Sequence, residues 1–226
     1  MPTKHYNDVY ADKFVINTGE TGASVVDNLT VGGAATVAET LAVTGVLTAT
    51  GGISGGPLVN TKTLTTEAGT GITGGTGTVY QSGISENGGI ITTQIMIDLT
   101  GLHSTADGDI IGVDGTANPC HIGQVTAADC GTVFAGKIEC FEAPAGGDPD
   151  INIYSATEAT GVEDGAITDL DETALLNYAG DFAAEVRKDL TAVPAADQYL
   201  YLTAGDTTDA DYTAGKFIIT LYGYDA

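Results

Sequence analysis

A chain of 226 residues with 32 glycines, no tryptophan and 42% apolar residues is long enough for one substantial domain plus an extension, and its Gly, Thr, Val and Ile content favours strands joined by frequent turns. Thirty acids against seven bases give a formal net charge of −23, a surface that repels nucleic acid and anionic membranes and keeps a densely displayed protein in solution. No apolar run reaches the length of about 18 residues that a membrane-spanning helix needs.

In chain order, residues 1–27 come first. They hold Tyr6, Tyr10, Phe14, Val15 and Ile16 in a segment too short to fold alone, so these side chains need a partner surface. The start, MPTKHYNDVY, lacks the apolar core of a secretory signal, and synthesis in a cytoplasm is expected.

Residues 28–57 read in sixes as NLTVGG, AATVAE, TLAVTG, VLTATG and GISGGP. The second place holds Leu29, Leu41, Leu47 and Ile53 and the fourth Val31, Val37 and Val43, so two apolar side chains per unit share one face of an extended chain before a turn. Five such units cannot close a core, because a repeat buries its face only against neighbours. Three copies wound about one axis supply them, which predicts an intertwined trimeric β-stalk with Leu29, Val31, Val37, Leu41, Val43, Leu47 and Ile53 at its centre; the alternative is a flexible Gly/Thr linker, which has no need of Leu or Ile in the second place.

Residues 58–80 continue as a Gly/Thr-rich extended neck, and residues 81–226 form an acidic head domain. The charge divides with them: residues 1–80 carry six acids and three bases, whereas residues 81–226 carry 24 acids and four bases. Asn87-Gly88 reads as a tight hairpin turn, followed by a strand in which Ile91, Thr93, Ile95, Ile97 and Leu99 alternate. Further strands are predicted at 109–113, 121–126, 132–141, 151–155, 198–203 and 216–224. Asp169 caps a predicted short helix through LDETALLNYAG, with Leu175 and Leu176 as its apolar face, and 182–190 fits a strand or a helical turn equally. The whole describes a mainly β chain whose head is an antiparallel sandwich, jelly-roll-like, with one short helix.

Cys120, Cys130 and Cys140 are an odd number and read as buried thiols, since spacings of ten do not suit zinc. No phosphate loop, dinucleotide fingerprint or Gly-x-Ser-x-Gly elbow occurs in the sequence, so neither a cofactor nor catalysis is expected. The acidic loops GDPD, DLDE and GDTTDAD leave one ion candidate, calcium at Asp206, Asp209 and Asp211, although none of them has the spacing of a twelve-residue calcium loop.

The run NLTVGGAATVAETLAVTGVLTATGG resembles the Leu-Thr-Val-Thr-Gly repeats of tailed-bacteriophage fibre and capsid-decoration proteins, and the ending DQYLYLTAGDTTDADYTAGKFIITLYGYDA resembles the C-termini of small virion structural proteins of marine phages. The resemblance implies a homotrimer on the capsid exterior, docked on the major capsid protein through residues 1–27, with the head projecting outward. It implies no catalytic residue. The alternative is a receptor-binding short tail fibre that recognises a host surface glycan, against which stands the absence of tryptophan for stacking on sugar.

Overall fold

The alternation from Ile91 onward forms a strand, β2 (Ile90–Asp98), whose inward positions Ile91, Thr93, Ile95 and Ile97 are all buried. Its partner β1 (Val79–Asn87) pairs antiparallel with Asn87 opposite Ile90, so the loop residues are Gly88 and Gly89 and not the expected Asn87-Gly88. Both glycines have positive φ, 60° and 80°, the combination a two-residue hairpin loop needs and one that a side chain at either position would strain.

The computed structural model describes residues 62–225, which belong to one compact unit. The expected anchor residues Tyr6, Tyr10, Phe14, Val15 and Ile16 and the expected stalk residues Leu29, Val31, Val37, Leu41, Val43, Leu47 and Ile53 lie outside the described residues.

After β2 come β3 (His103–Ser104), β4 (Gln124–Val125), β5 (Thr132–Ala145), β6 (Ile151–Ala156), β7 (Glu172–Leu176), β8 (Arg187–Asp189), β9 (Gln198–Ala204), β10 (Ala210–Asp211) and β11 (Ala214–Tyr224). Two helical turns accompany them, α1 (Thr70–Thr73) and α2 (Ala127–Cys130). The described chain is mainly β and every strand pair is antiparallel. One sheet runs β1-β2-β11-β5-β8, a second β4-β9-β6-β7, and β10 pairs with β3 alone.

A single buried cluster draws Ile95, Ile97, Ile138, Phe217 and Ile219 from the first sheet and Ile151, Ile153, Leu200 and Leu202 from the second. Each such side chain contributes about 1.5–3 kcal/mol relative to exposure. Phe182 packs into the same cluster, edge-on to Phe217 at 5.3 Å and to Tyr178 at 5.1 Å. All three cysteines are free and buried.

The structure corrects three further expectations. The helix predicted through LDETALLNYAG is absent: a 3-10 turn covers Ile167–Asp169, before that stretch, and its centre forms β7. Leu176 pairs with Ile153 and Ala174 with Tyr154, so Leu175 is an extra residue in a bulge, and both leucines turn inward, at 0% and 4% exposure. Adjacent leucines that mimic a helix face are here a bulged edge strand, where pairing with β6 outweighs the local capping signal.

The segment 109–113 makes only isolated bridges, Asp109 to Ala166, Ile110 to Thr203 and Gly112 to His103, and not a strand. From residue 62 onward, the expected extended neck is part of the head: Leu64 and Ile72 are buried and α1 interrupts the extension. Its glycines serve close approach, since a Cβ on Gly71 would lie 2.6 Å from the Asn118 carbonyl oxygen. Of 182–190, only Arg187–Asp189 is strand.

Candidate functional site

The two-residue strand β3 is a crossroads. Its backbone is held on one side by a bridge to Gly112, with His103 N donating to Gly112 O at 2.7 Å, and on the other by β10, with His103 opposite Asp211. Adjacent strand residues point to opposite sides, so His103 and Ser104 open on two different polar centres.

On the Ser104 side lies the loop between β5 and β6. The Ser104 hydroxyl donates to Thr208 O at 2.8 Å and accepts from Asp148 N at 2.9 Å. Asp148, fully buried, accepts from Asp150 N at 2.9 Å and from Asp206 N at 2.6 Å, while Tyr212 Oη donates to Asp148 O at 2.8 Å. Gly146 and Gly147 are required there. A Cβ on Gly147 would lie 2.7 Å from the Tyr212 ring, and Gly146, at φ 88°, would overlap the Asp211 carbonyl. Both carboxylate oxygens of Asp148 are engaged by backbone donors, so its work is to fasten the GDPD loop to the GDTTDAD loop.

Asp150 is different. One oxygen accepts from Gly180 N at 3.0 Å, but Oδ1 is buried without a partner. Burial first, then the charges of Asp148, Asp181 and Asp107, push its carboxyl up to about 6.

On the His103 side the ring stands between carboxylates. Nδ1 lies 3.2 Å from Glu163 Oε1 and Nε2 lies 3.2 Å from Asp209 Oδ1. For both contacts to be hydrogen bonds, both nitrogens must carry protons, which is the imidazolium form. Glu163, its side chain only 5% exposed, also accepts from Thr105 Oγ1 at 3.4 Å and from Gly115 N at 3.3 Å. It fits over Gly112 because that residue has no side chain: a Cβ there would lie 3.0 Å from Glu163 Cβ and overlap the Cys120 sulfur. Asp114 completes the group, and one ligand atom each from His103, Asp114 and Glu163 fall within 4.8 Å of one another.

The expected calcium trio therefore divides. Asp209 turns to His103, Asp206 is spent on local bonds through Asp148 and Thr207, and Asp211 lies exposed in β10. Among the described residues, His103, Asp114 and Glu163 are the one group of three or more ligating side chains that gathers closely. Sequence reasoning missed this set because it joins β3 to two separate loops, with no spacing that marks it.

The cysteines stay apart from it in role. Cys120 Sγ donates to Asn118 O and Cys140 Sγ to Glu142 O, and burial pushes their thiols up to about 12 and about 11, which leaves them protonated. His121, against Tyr199 with ring centroids 5.0 Å apart, is held below the usual imidazole range by burial.

No family model matches the chain, and neither a curated protein nor a solved structure matches it. No described helix is long and apolar enough to cross a membrane.

Proposed function

We propose that the chain is a non-enzymatic structural protein of a bacteriophage virion: a homotrimer anchored to the major capsid protein by residues 1–27, carried on the hexad stalk of residues 28–57, and projecting an acidic jelly-roll head from the capsid exterior. The observation that supports the head's part in this reading is its strand pairing. In a jelly roll an eight-stranded ribbon folds back on itself, so that its first strand pairs with the eighth, the second with the seventh, the third with the sixth and the fourth with the fifth. Taking β2, β4, β5, β6, β7, β8, β9 and β11 as the eight, the four required pairs are β2 with β11, β4 with β9, β5 with β8 and β6 with β7, and all four are present. The sheet orders β2-β11-β5-β8 and β4-β9-β6-β7 follow from that ribbon, with β1 added at one edge.

Jelly rolls serve in viral capsid and lectin domains alike, and a fold alone does not choose a function. The sequence supplies the choice. A hexad repeat that needs partner copies precedes the head, and an aromatic-bearing arm without a core precedes the repeat. Three arms on one stalk gain avidity where each finds its own capsid subunit.

The test is attachment. Deleting residues 2–20 leaves a folded trimer that no longer adds to capsids stripped of the chain, whereas deleting the head leaves attachment intact. If the truncated trimer still coats capsids at full occupancy, or if the intact chain binds only tails or host-cell glycan, the receptor-fibre reading replaces this one.

A further inference from the structure

We propose that His103, Glu163 and Asp114 form a binding site for one divalent ion of the zinc type, which joins β3 to the loops that carry Asp114 and Glu163. A tetrahedral site with bonds of about 2.0–2.2 Å sets its ligand atoms roughly 3.4 Å apart. Nδ1 of His103 and Oε1 of Glu163 already stand 3.2 Å apart, and a carboxylate oxygen of the exposed Asp114 lies within 4.8 Å of one ligand atom of each residue. Only Asp114 has to swing inward to complete three protein ligands, and a water takes the fourth position.

The second observation is the support around the ligands. A metal-bound histidine characteristically donates its other ring N–H to a carboxylate, which orients the ring and raises its basicity. Nε2 of His103 makes that contact with Asp209 at 3.2 Å. Glu163 is buried and positioned by Gly115 N and Thr105 Oγ1, so the least exposed ligand is also the most constrained.

On binding, the ion takes the place of the Nδ1 proton, which leaves to solvent, and the Nε2 proton stays with the Asp209 contact. An imidazole ligand selects zinc, cobalt or nickel over calcium and magnesium, which prefer oxygen donors alone. The set thus differs in kind from an oxygen-only calcium loop.

The experiment is calorimetric titration of the full chain, stripped with chelator, with Zn²⁺, and with Co²⁺ as a spectroscopic stand-in. The expected result is one ion per chain, visible absorption of the intensity of four-coordinate Co²⁺, and no displacement by equimolar Ca²⁺ or Mg²⁺. Asp114→Asn and Glu163→Gln each weaken binding at least about tenfold, and Asp209→Asn, which touches no ligand position, weakens it about 10–100-fold. Asp114 is exposed, so Asp114→Asn decides the matter even if Glu163→Gln fails to fold. The absence of saturable binding, binding undiminished in Asp114→Asn, or displacement by equimolar Ca²⁺ would each overturn the assignment.

Discussion

Replacing Asp150 by Asn changes how the stability of the head responds to pH. Asp150 is 8% exposed, with one oxygen on Gly180 N and the other without a partner, and its carboxyl is raised from 3.8 to about 6. Between those values the native state holds a proton that the unfolded chain has released, so stability falls as pH rises through that window. A displacement of about two pH units at about 1.4 kcal/mol each is on the order of 3 kcal/mol, fully expressed above pH 6 and absent below the unfolded value.

The Asn variant cannot ionise, so it escapes this loss while its side-chain oxygen still accepts from Gly180 N. Burying the amide adds a pH-independent offset, and the quantity to read is the change in the difference between variant and wild type. In calorimetric melts from pH 4 to pH 7 the variant should gain on the wild type by about 6–12 °C, taking about 2–4 °C per kcal/mol for a domain of this size. A difference that stays flat with pH, or that shrinks as pH rises, would refute the reasoning.

The remaining predictions concern other sites. His121 is buried with Nδ1 unpartnered and is held below the usual imidazole range, so its contribution to stability is present at neutral pH and is lost as pH falls through the unfolded value of about 6.5. His121→Phe, which keeps the ring against Tyr199, should therefore gain in urea midpoint over the wild type as pH is lowered from 7.5 to 5. Gly146 and Gly108 share positive φ, at 88° and 83°, but a Cβ meets the Asp211 backbone at Gly146 and nothing within 4 Å at Gly108. Gly108→Ala should cost about 1–2 kcal/mol in denaturant unfolding, the left-handed strain alone, and Gly146→Ala distinctly more. If residues 28–57 form the proposed trimeric stalk, Leu41→Asp would place three charges about one axis, and an unpaired buried charge costs several kcal/mol even after relaxation. Light scattering should give three times 22.8 kDa for the parent and a smaller mass for the variant.

Strands with strict alternation were legible because their burial has the period of the sequence: Ile91, Thr93, Ile95 and Ile97 are both the alternating set and the buried set. Long-range pairing was not legible in detail. The Leu175-Leu176 doublet has the form of a helix face, and only the bulge against Ile153 and Tyr154 turns both residues inward. The Gly/Thr stretch near Gly69 and Gly71 reads as an extended neck until Pro119 and Asn118 are seen against it.

The candidate site was legible only through Asp209. Its central group, His103, belongs to no motif, and its partners Glu163 and Asp114 reach it through β3, the bridge to Gly112 and the loop around Gly161, contacts set by topology and not by spacing. The same holds for the GDPD and GDTTDAD loops. Each was visible as an acidic cluster, but their joining through Asp148 depends on the turns that bring β5, β6, β9 and β10 to one place.

The most direct test of the proposed role is electron microscopy of virions labelled with antibody raised against residues 62–225. The account predicts label distributed over the capsid surface, at a distance from the shell that shortens when residues 28–57 are deleted. Label confined to the tail, or absent from particles altogether, would contradict it.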